Sequence, residues 1–320
     1  MVMLAYGRLL IRVAVPHGKE LSNIRAVSLA KNFCQSTRAS TAVSTDTAAS
    51  TAPKAAQKVD SSCCGFAKDL IGGPSTVLDH GKFGEDACFV TNFKHTHVAG
   101  VADGVGGWRK YGIDPSEFSS NLMKHCEKIV EAGEFRPDRP DLIISKAFER
   151  LAVSPRPIGS STACVVVIHQ HTLYTANLGD SGYLVYRDGK IVQKSTEQVH
   201  YFNAPFQLTL LPEQCELEGF IRDTPENSDL NVLELEKGDV VVLATDGLWD
   251  NVPESLICEG LEGVTAQNLQ QKCNTIALMA RRLSCDVHHL SPFAKKASEH
   301  GIRTKGGKQD DITLVLLYIS

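Results

Sequence analysis

The sequence predicts an α+β protein in which antiparallel β-sheets are covered on the outside by helices. Three observations carry that prediction. From about residue 62 onward, short apolar and β-branched runs of strand length recur between turn residues. Stretches with helical period are fewer and come in two groups, one after the first strands and one before the last. Strands therefore do not alternate one-for-one with helices, which disfavours a doubly wound parallel sheet and leaves a meander of antiparallel strands.

Residues 1–60 stand apart from this pattern. They hold eight Lys/Arg against three acids, and Ser, Thr and Ala dominate through "TAVSTDTAASTAPKAA". A basic, hydroxyl-rich, acid-poor leader has the profile of an organellar transit peptide, and delivery to the mitochondrial matrix is the expectation it supports. One folded domain is expected over 61–320, because no linker or internal repeat divides it.

Within that domain the first strands are expected at 86–91 and 97–102. Helix 115–132 follows, because Phe118, Leu122, Cys126 and Val130 recur at four-residue steps, and a second helix is read at 139–152. Strands at 162–168, 172–177, 182–187 and 190–193 come next. The last two are joined by Asp188-Gly189 in "GYLVYRDGKIVQK", the pair that supplies the positive φ angles of a type I′ hairpin turn. Further strands are expected at 206–211, 230–235 and 239–244, and the long stretch 195–229 has room for a flap beside a cleft. Helices then occupy 253–260 and 264–284. The second sets Leu269, Cys273, Ile276, Met279 and Ala280 on one face, with Arg281-Arg282 in the closing turn, where cations suit the helix dipole. The last strand is 312–319.

Composition narrows the function. Net charge is -4, so with +5 in the first sixty residues the remainder carries -9. An acidic body argues against nucleic acid as a partner, which would demand broad neutralisation of phosphates. No apolar run approaches the roughly 18–20 residues of a membrane-spanning helix. Ten cysteines show no C-x-x-C and no Cys/His zinc spacing, so free thiols in a reducing compartment are expected. A monomer is expected.

Two of the three Asp-Gly pairs are not hairpin turns. Asp103-Gly104 in "HVAGVADGVGGW" and Asp246-Gly247 in "DVVVLATDGLWDNV" each close a buried apolar strand, and Asp250 follows Asp246 by four residues. Glu85-Asp86 in "GEDACFV" and Asp310-Asp311 in "KQDDITLVLLYI" open strands, while Asp180 in "TANLGDSGY" is placed at the tip of a hairpin. Singly, each is a solvated strand end. Five such clusters together point to hard-cation binding, since gathered carboxylates repel one another without a cation and Mg²⁺ and Mn²⁺ prefer oxygen donors. Gly104 then has a use: lacking Cβ, it can make a tight turn and bring its carbonyl up to an ion.

The ordered set "ED", "ADG", "GDSG", "ATDGLWD" and "DDIT" resembles that of the metal-dependent serine/threonine protein phosphatases of type 2C, over essentially all of 62–320. The form "VADGVGGW" resembles the mitochondrial subfamily. The resemblance implies two stacked antiparallel β-sheets flanked by α-helices, a four-layer αββα sandwich. It implies hydrolysis of phosphoserine and phosphothreonine in a phosphoprotein substrate by a water activated between two Mn²⁺ or Mg²⁺ ions, with a third ion in some members. Carried over residue by residue, Asp103 bridges the two ions and Gly104 offers its carbonyl to one, while Asp246 and Asp310 ligate the second. These three aspartates form the catalytic set. Glu85 and Asp86 act through metal-bound waters, and Asp180 and Asp250 resemble the acids used for the third ion. The lack of a C-x5-R or G-x-S-x-G nucleophile motif agrees with such chemistry.

Three positions depart from the family pattern. Val105 stands where many members have a His held to protonate the leaving group. Where many have an Arg before "ED" for the substrate phosphate, "DHGKFGED" offers His80 and Lys82, so Lys82 is the candidate there, a point charge without a bidentate fork. Asp311 stands where Asn is common. These departures keep two other readings open: a catalytically weak module that docks phosphoproteins, and a metal-dependent hydrolase of a small phosphorylated metabolite. Trp108 and Trp249, each close after an Asp-Gly pair, are read as core aromatics that anchor loops.

Overall fold

A computed structural model describes residues 58–68, 82–153, 155–212 and 219–320. Residues 1–57 of the leader read over 1–60 and His80 fall outside the described residues, as does the side chain of Lys82, whereas Val59 and Asp60 already belong to the first strand of the folded domain. The first half holds β1 (Val59–Phe66), β2 (Lys82–Phe83), β3 (Asp86–Phe93), β4 (Thr96–Asp103), α1 (Pro115–Glu131), α2 (Pro140–Leu151), β5 (Gly159–Ser161), β6 (Ala163–His169) and β7 (Thr172–Leu178). Then come β8 (Gly182–Arg187), β9 (Lys190–Lys194), β10 (Val199–Tyr201), β11 (Ala204–Pro205), β12 (Leu208–Leu210), β13 (Asp229–Glu234) and β14 (Val240–Ala244). The chain closes with α3 (Asp246–Trp249), α4 (Glu254–Leu261), α5 (Leu269–Cys285), α6 (Pro292–Glu299) and β15 (Ile312–Ile319). Among the described residues no helix is long and apolar enough to cross a membrane.

Two antiparallel sheets form the body, with strand orders β1-β15-β14-β8-β9 and β13-β7-β6-β4-β3-β2. Their facing sides share one core, in which Val101, Cys164 and Val166 meet Val241, Leu243 and Val315. A second core joins β3, β4 and β6 to α1 and α2, and a third joins β14 and β15 to α4 and α5. This is the αββα sandwich the sequence predicts. It also explains why "ITLVLLYI" reads as an unbroken apolar run. Ile312, Leu314 and Leu316 face the helices, while Val315, Leu317 and Ile319 face the other sheet, so neither side of β15 meets water.

Local chemistry fixes the ends of elements. Pro115 opens α1 where its missing N–H is no loss, and the Asp114 carboxylate accepts the Ser116 N–H at 3.0 Å. Asp188 and Gly189 adopt φ of 47° and 82°, the type I′ turn predicted between β8 and β9.

Several expectations need correcting. Asp180 is not at a hairpin tip: β7 and β8 belong to different sheets, and the link Gly179–Ser181 crosses between them. Gly179 takes φ of 107° there, and a Cβ would come within 2.7 Å of the Phe206 carbonyl oxygen and of Thr162. β1 escaped the sequence reading because "DSSCCGF" lacks β-branched residues. Pairing with β15 makes it a strand, in register from Val59 opposite Ile319 to Phe66 opposite Ile312. α5 begins at Leu269 rather than 264, because Thr265–Asn268 form a turn closed by the Asn268 side chain on the Thr265 N–H at 2.7 Å. The strand expected over 206–211 shrinks to Leu208–Leu210, paired with β5 and joined by a single parallel bridge from Leu208 to Asp223. α6 was unread although Ser291 caps it, accepting the Ala294 N–H at 3.0 Å.

Candidate metal centre and active site

Strand pairing brings the acids together. Asp86 at the start of β3 lies opposite Asp103 at the end of β4. β14 delivers Asp246, α3 then carries the chain to Asp250, and β15 starts beside Asp310 and Asp311. Carboxylate oxygens of Asp103, Asp180 and Asp246 lie within 4.8 Å of one another. Asp180 therefore joins the central cluster, a closer association than a separate third-ion site implies. Asp103 and Asp246 are buried, and Asp180 is half-buried.

Asp86 is fully buried. Its Oδ2 accepts the hydroxyls of Thr245 at 2.7 Å and Thr313 at 2.9 Å, whereas its Oδ1 has no hydrogen-bond partner. Burial, followed by the charge of Asp311, pushes its carboxyl well above the usual range, against the pull of Thr245. Asp250 is raised as well, by burial first, with Lys308 working the other way. A buried carboxylate oxygen without a donor, beside three convergent aspartates, is an oxygen-only set suited to a hard divalent cation. The residues present thus fit Mn²⁺ or Mg²⁺.

Asp311 does something different. Its two oxygens accept the backbone N–H groups of Lys68 at 2.7 Å and Glu85 at 2.9 Å, so it ties the turn after β1 to the start of β3. Burial pushes its carboxyl up to about 6, against the stabilising charge of Lys68. Gly104 also proves to be a packing residue. It is not in a left-handed conformation, but a Cβ would lie 2.6 Å from the Pro115 carbonyl oxygen and 2.8 Å from that of Glu85.

Cations thread between the acids, and sequence reasoning missed them. Lys308 Nζ lies 2.6 Å from Asp246, 2.7 Å from Asp250 and 3.4 Å from Asp310. Lys68 Nζ pairs with Glu85 and lies 3.3 Å from Asp310 and 3.5 Å from Asp311. Burial lowers the Lys68 pKa, but those acids outweigh it and raise the ammonium above its ordinary value. The Arg109 guanidinium pairs with the other oxygen of Glu85 and keeps 53% of its side chain exposed. Glu85 is thus gripped by two cations. The signal for Lys308 was its place two residues before Asp310, and for Arg109 its place after Trp108; neither matched a motif.

Val105 lies in an apolar cluster. It is 2% exposed and packs with Trp108 and Leu211. Trp108 donates its indole N–H to Ser160 at 2.8 Å and stacks on Phe220, as a loop anchor. Trp249 is tied to the Ala244 carbonyl at 2.9 Å and lines a cavity of about 610 Å³. Asp180 and Asp250 stand in the wall of that cavity, together with Lys194, Lys295 and Lys296.

The family model described as Protein phosphatase 2C matches residues 95–204. The "Protein phosphatase PTC7 homolog" of Homo sapiens is 45% identical over 265 residues, covering 80% of this chain and 86% of that protein. Its counterpart in Xenopus laevis is 44% identical over 264 residues, covering 80% and 88%. Among solved structures, the photosystem II phosphatase PBCP superposes with a TM-score of 0.69 at 27% identity, over 82% of this chain and 99% of that one. The catalytic domain of the serine/threonine phosphatase PstP, in complex with 2 manganese ions, superposes with a TM-score of 0.53 at 17% identity, over 82% and 98%, a likeness of fold.

Proposed function

This chain belongs to the protein phosphatase 2C family, and we propose that it hydrolyses phosphoserine and phosphothreonine in proteins at a centre for two Mn²⁺ or Mg²⁺ ions. The observation that carries the reading is the convergence of Asp103, Asp180 and Asp246 within 4.8 Å, beside the unpartnered Asp86 Oδ1. The fold-level likeness to a phosphatase domain with 2 manganese ions supports the count. Asp103, Asp246 and Asp310, with the Gly104 carbonyl, would hold the ions, and Asp180 joins them. Bound there, such ions supply Lewis acidity toward a water and toward the phosphoryl oxygens.

The chain's own residues do the rest. Thr245 and Thr313 fix the Asp86 carboxylate by two hydroxyl bonds. Asp311 anchors the backbone of Glu85 and Lys68, and Glu85 in turn holds the Arg109 guanidinium at the surface. Arg109 is then the cation that meets the incoming phosphate, with the fork that Lys82 lacks. The buried, apolar Val105 has no proton to give the leaving oxygen.

The test is hydrolysis of a phosphoserine peptide by the purified chain, with and without Mn²⁺, beside Asp103→Asn. Mn²⁺-dependent turnover that falls at least a hundredfold in Asp103→Asn is expected. Turnover independent of metal, or retained in the variant, overturns the reading. Faster hydrolysis of sugar phosphates than of phosphopeptides overturns the substrate class. Delivery to the mitochondrial matrix is part of the proposal, supported by the basic, hydroxyl-rich leader. Diffuse cytosolic signal from a reporter carrying residues 1–60 would end that part.

A further inference from the structure

Asp250 is enclosed by ammonium groups. Its Oδ2 lies 2.7 Å from Lys308 Nζ, and its Oδ1 lies 3.8 Å from Lys296 Nζ. Lys308 extends the contact to Asp246 Oδ2 at 2.6 Å and Asp310 Oδ2 at 3.4 Å, so one ammonium stands among three carboxylates. Its position is built rather than incidental. The buried Asn251 side chain accepts the Lys308 N–H at 2.8 Å and donates to the Lys308 carbonyl at 2.9 Å, clamping its backbone from both sides. The same Asn251 amide donates to Gly247 in α3 at 2.9 Å, which ties the lysine to the element that carries Asp246. The lysine side chain is only 11% exposed, and its Nζ sits 5.2 Å from the centre of the Phe293 ring.

We infer that Lys308 supplies, as a fixed ammonium, the positive charge that Asp250 requires, in the place where a third divalent ion would otherwise bind between Asp250 and Asp246. A lysine delivered by the chain needs no ion from solution, and at 2.7 Å from Asp250 Oδ2 its charge repels a third divalent cation brought to that oxygen. Its contacts to Asp246 and Asp310 are to their Oδ2 atoms, so the two-ion centre draws on the Oδ1 atoms of those residues. Asp250 is then a partner of lysines and not a metal ligand, and the centre takes two ions. This inference rests on the proposed two-ion centre and adds to it the reason the count stops there.

The test is equilibrium titration of the full chain with Mn²⁺, the free ion followed by its paramagnetic resonance signal, which reads ion number and affinity without any turnover. Two ions are expected for the parent chain and three for Lys308→Gln, while Lys308→Arg, which keeps the charge, holds two. Asp250→Asn is expected to keep two ions with affinities within about twofold of the parent, since no ion is lost with that carboxylate. The same number of ions in Lys308→Gln as in the parent overturns the inference, and so does loss of an ion in Asp250→Asn. If Lys308→Gln does not fold, Asp250→Asn decides alone. A parent chain that binds no Mn²⁺ removes the two-ion centre itself, and the inference with it; a parent with two ions and an unchanged Lys308→Gln removes only the inference.

Discussion

Asp86 and Asp103 lie directly opposite each other across the β3–β4 ladder. Two like charges in that position destabilise a sheet, and here neither is left in open solvent. In the metal-free chain the charged form of Asp86 is penalised, first by burial and then by the charge of Asp311, and a divalent ion would relieve that penalty. Mn²⁺ is expected to stabilise the fold by about 2.7 kcal/mol at a hundred times its dissociation constant. In the absence of metal, Asp86→Asn is expected to be more stable than the parent by about 1 kcal/mol, since the Asn carbonyl oxygen still accepts from Thr245 and Thr313. Urea unfolding with a chelator present measures this. A variant less stable than the parent would contradict the account.

Val105 invites a gain-of-function substitution, and the structure predicts its failure. The side chain is buried against Trp108 and Leu211, so Val105→His would place an imidazole in an apolar cluster and not beside the substrate. Burying that polar ring is expected to reduce stability by about 2 kcal/mol. Turnover should rise less than about twofold, because the imidazole would be enclosed by the Trp108 and Leu211 side chains. Thermal unfolding and phosphopeptide turnover of the variant check both parts; a tenfold gain in kcat would show that the imidazole reaches the reaction.

Arg109 gives a prediction about binding. A guanidinium that meets the phosphate before and during reaction contributes equally to both states, so its loss raises KM and spares kcat. Arg109→Ala is expected to raise KM for a phosphopeptide about tenfold with kcat within about threefold of the parent. Arg109→Lys should recover only part of that, because an ammonium lacks the bidentate fork. A fall in kcat with KM unchanged would place Arg109 elsewhere in the mechanism.

The acids were legible in the sequence because each interrupts an apolar run, and strand ends in a sandwich converge. The layers were legible for the same reason: β14 and β15 are apolar on both faces, and α1 and α5 carry one apolar stripe each. What balances the acids was not legible. Lys308 meets Asp246 and Asp250 across 62 and 58 positions of chain, and Lys68 meets Glu85 and Asp311 across 17 and 243; only the nearness of Lys308 to Asp310 is local, and it matches no motif. The crossing of the Asp180 link between sheets was hidden for a related reason. "ANLGDSGYLV" has the spacing of a hairpin, and the crossing rests on Gly179, whose φ is positive and where a Cβ would meet Phe206 and Thr162. Val105 next to Asp-Gly looked like a missing proton donor, but its burial is a property of the loop around Trp108, which a motif does not encode.

Two histidines far from the acids set a pH dependence of stability. His97 lies at the opposite end of β4 from Asp103, and His125 lies on α1. Burial holds the imidazole of His97 below its ordinary value of 6.5, with Asp60 working the other way. Burial also lowers His125, and Lys128, Arg150 and Lys124 add to the effect. For each, the unfolded chain binds the proton more readily than the folded chain, so stability rises with pH through this interval. The penalty is absent above the ordinary value, grows as pH falls through it, and is complete below the folded value. Comparing each chain with its variant isolates this from the buried carboxylates, whose raised values act in the opposite direction. Relative to His125→Gln, the parent chain is expected to lose unfolding free energy between pH 7.5 and pH 5, and His97→Gln should show the same sign. A difference between parent and variant that stays constant across that range would mean that neither burial nor the neighbouring cations act on these rings.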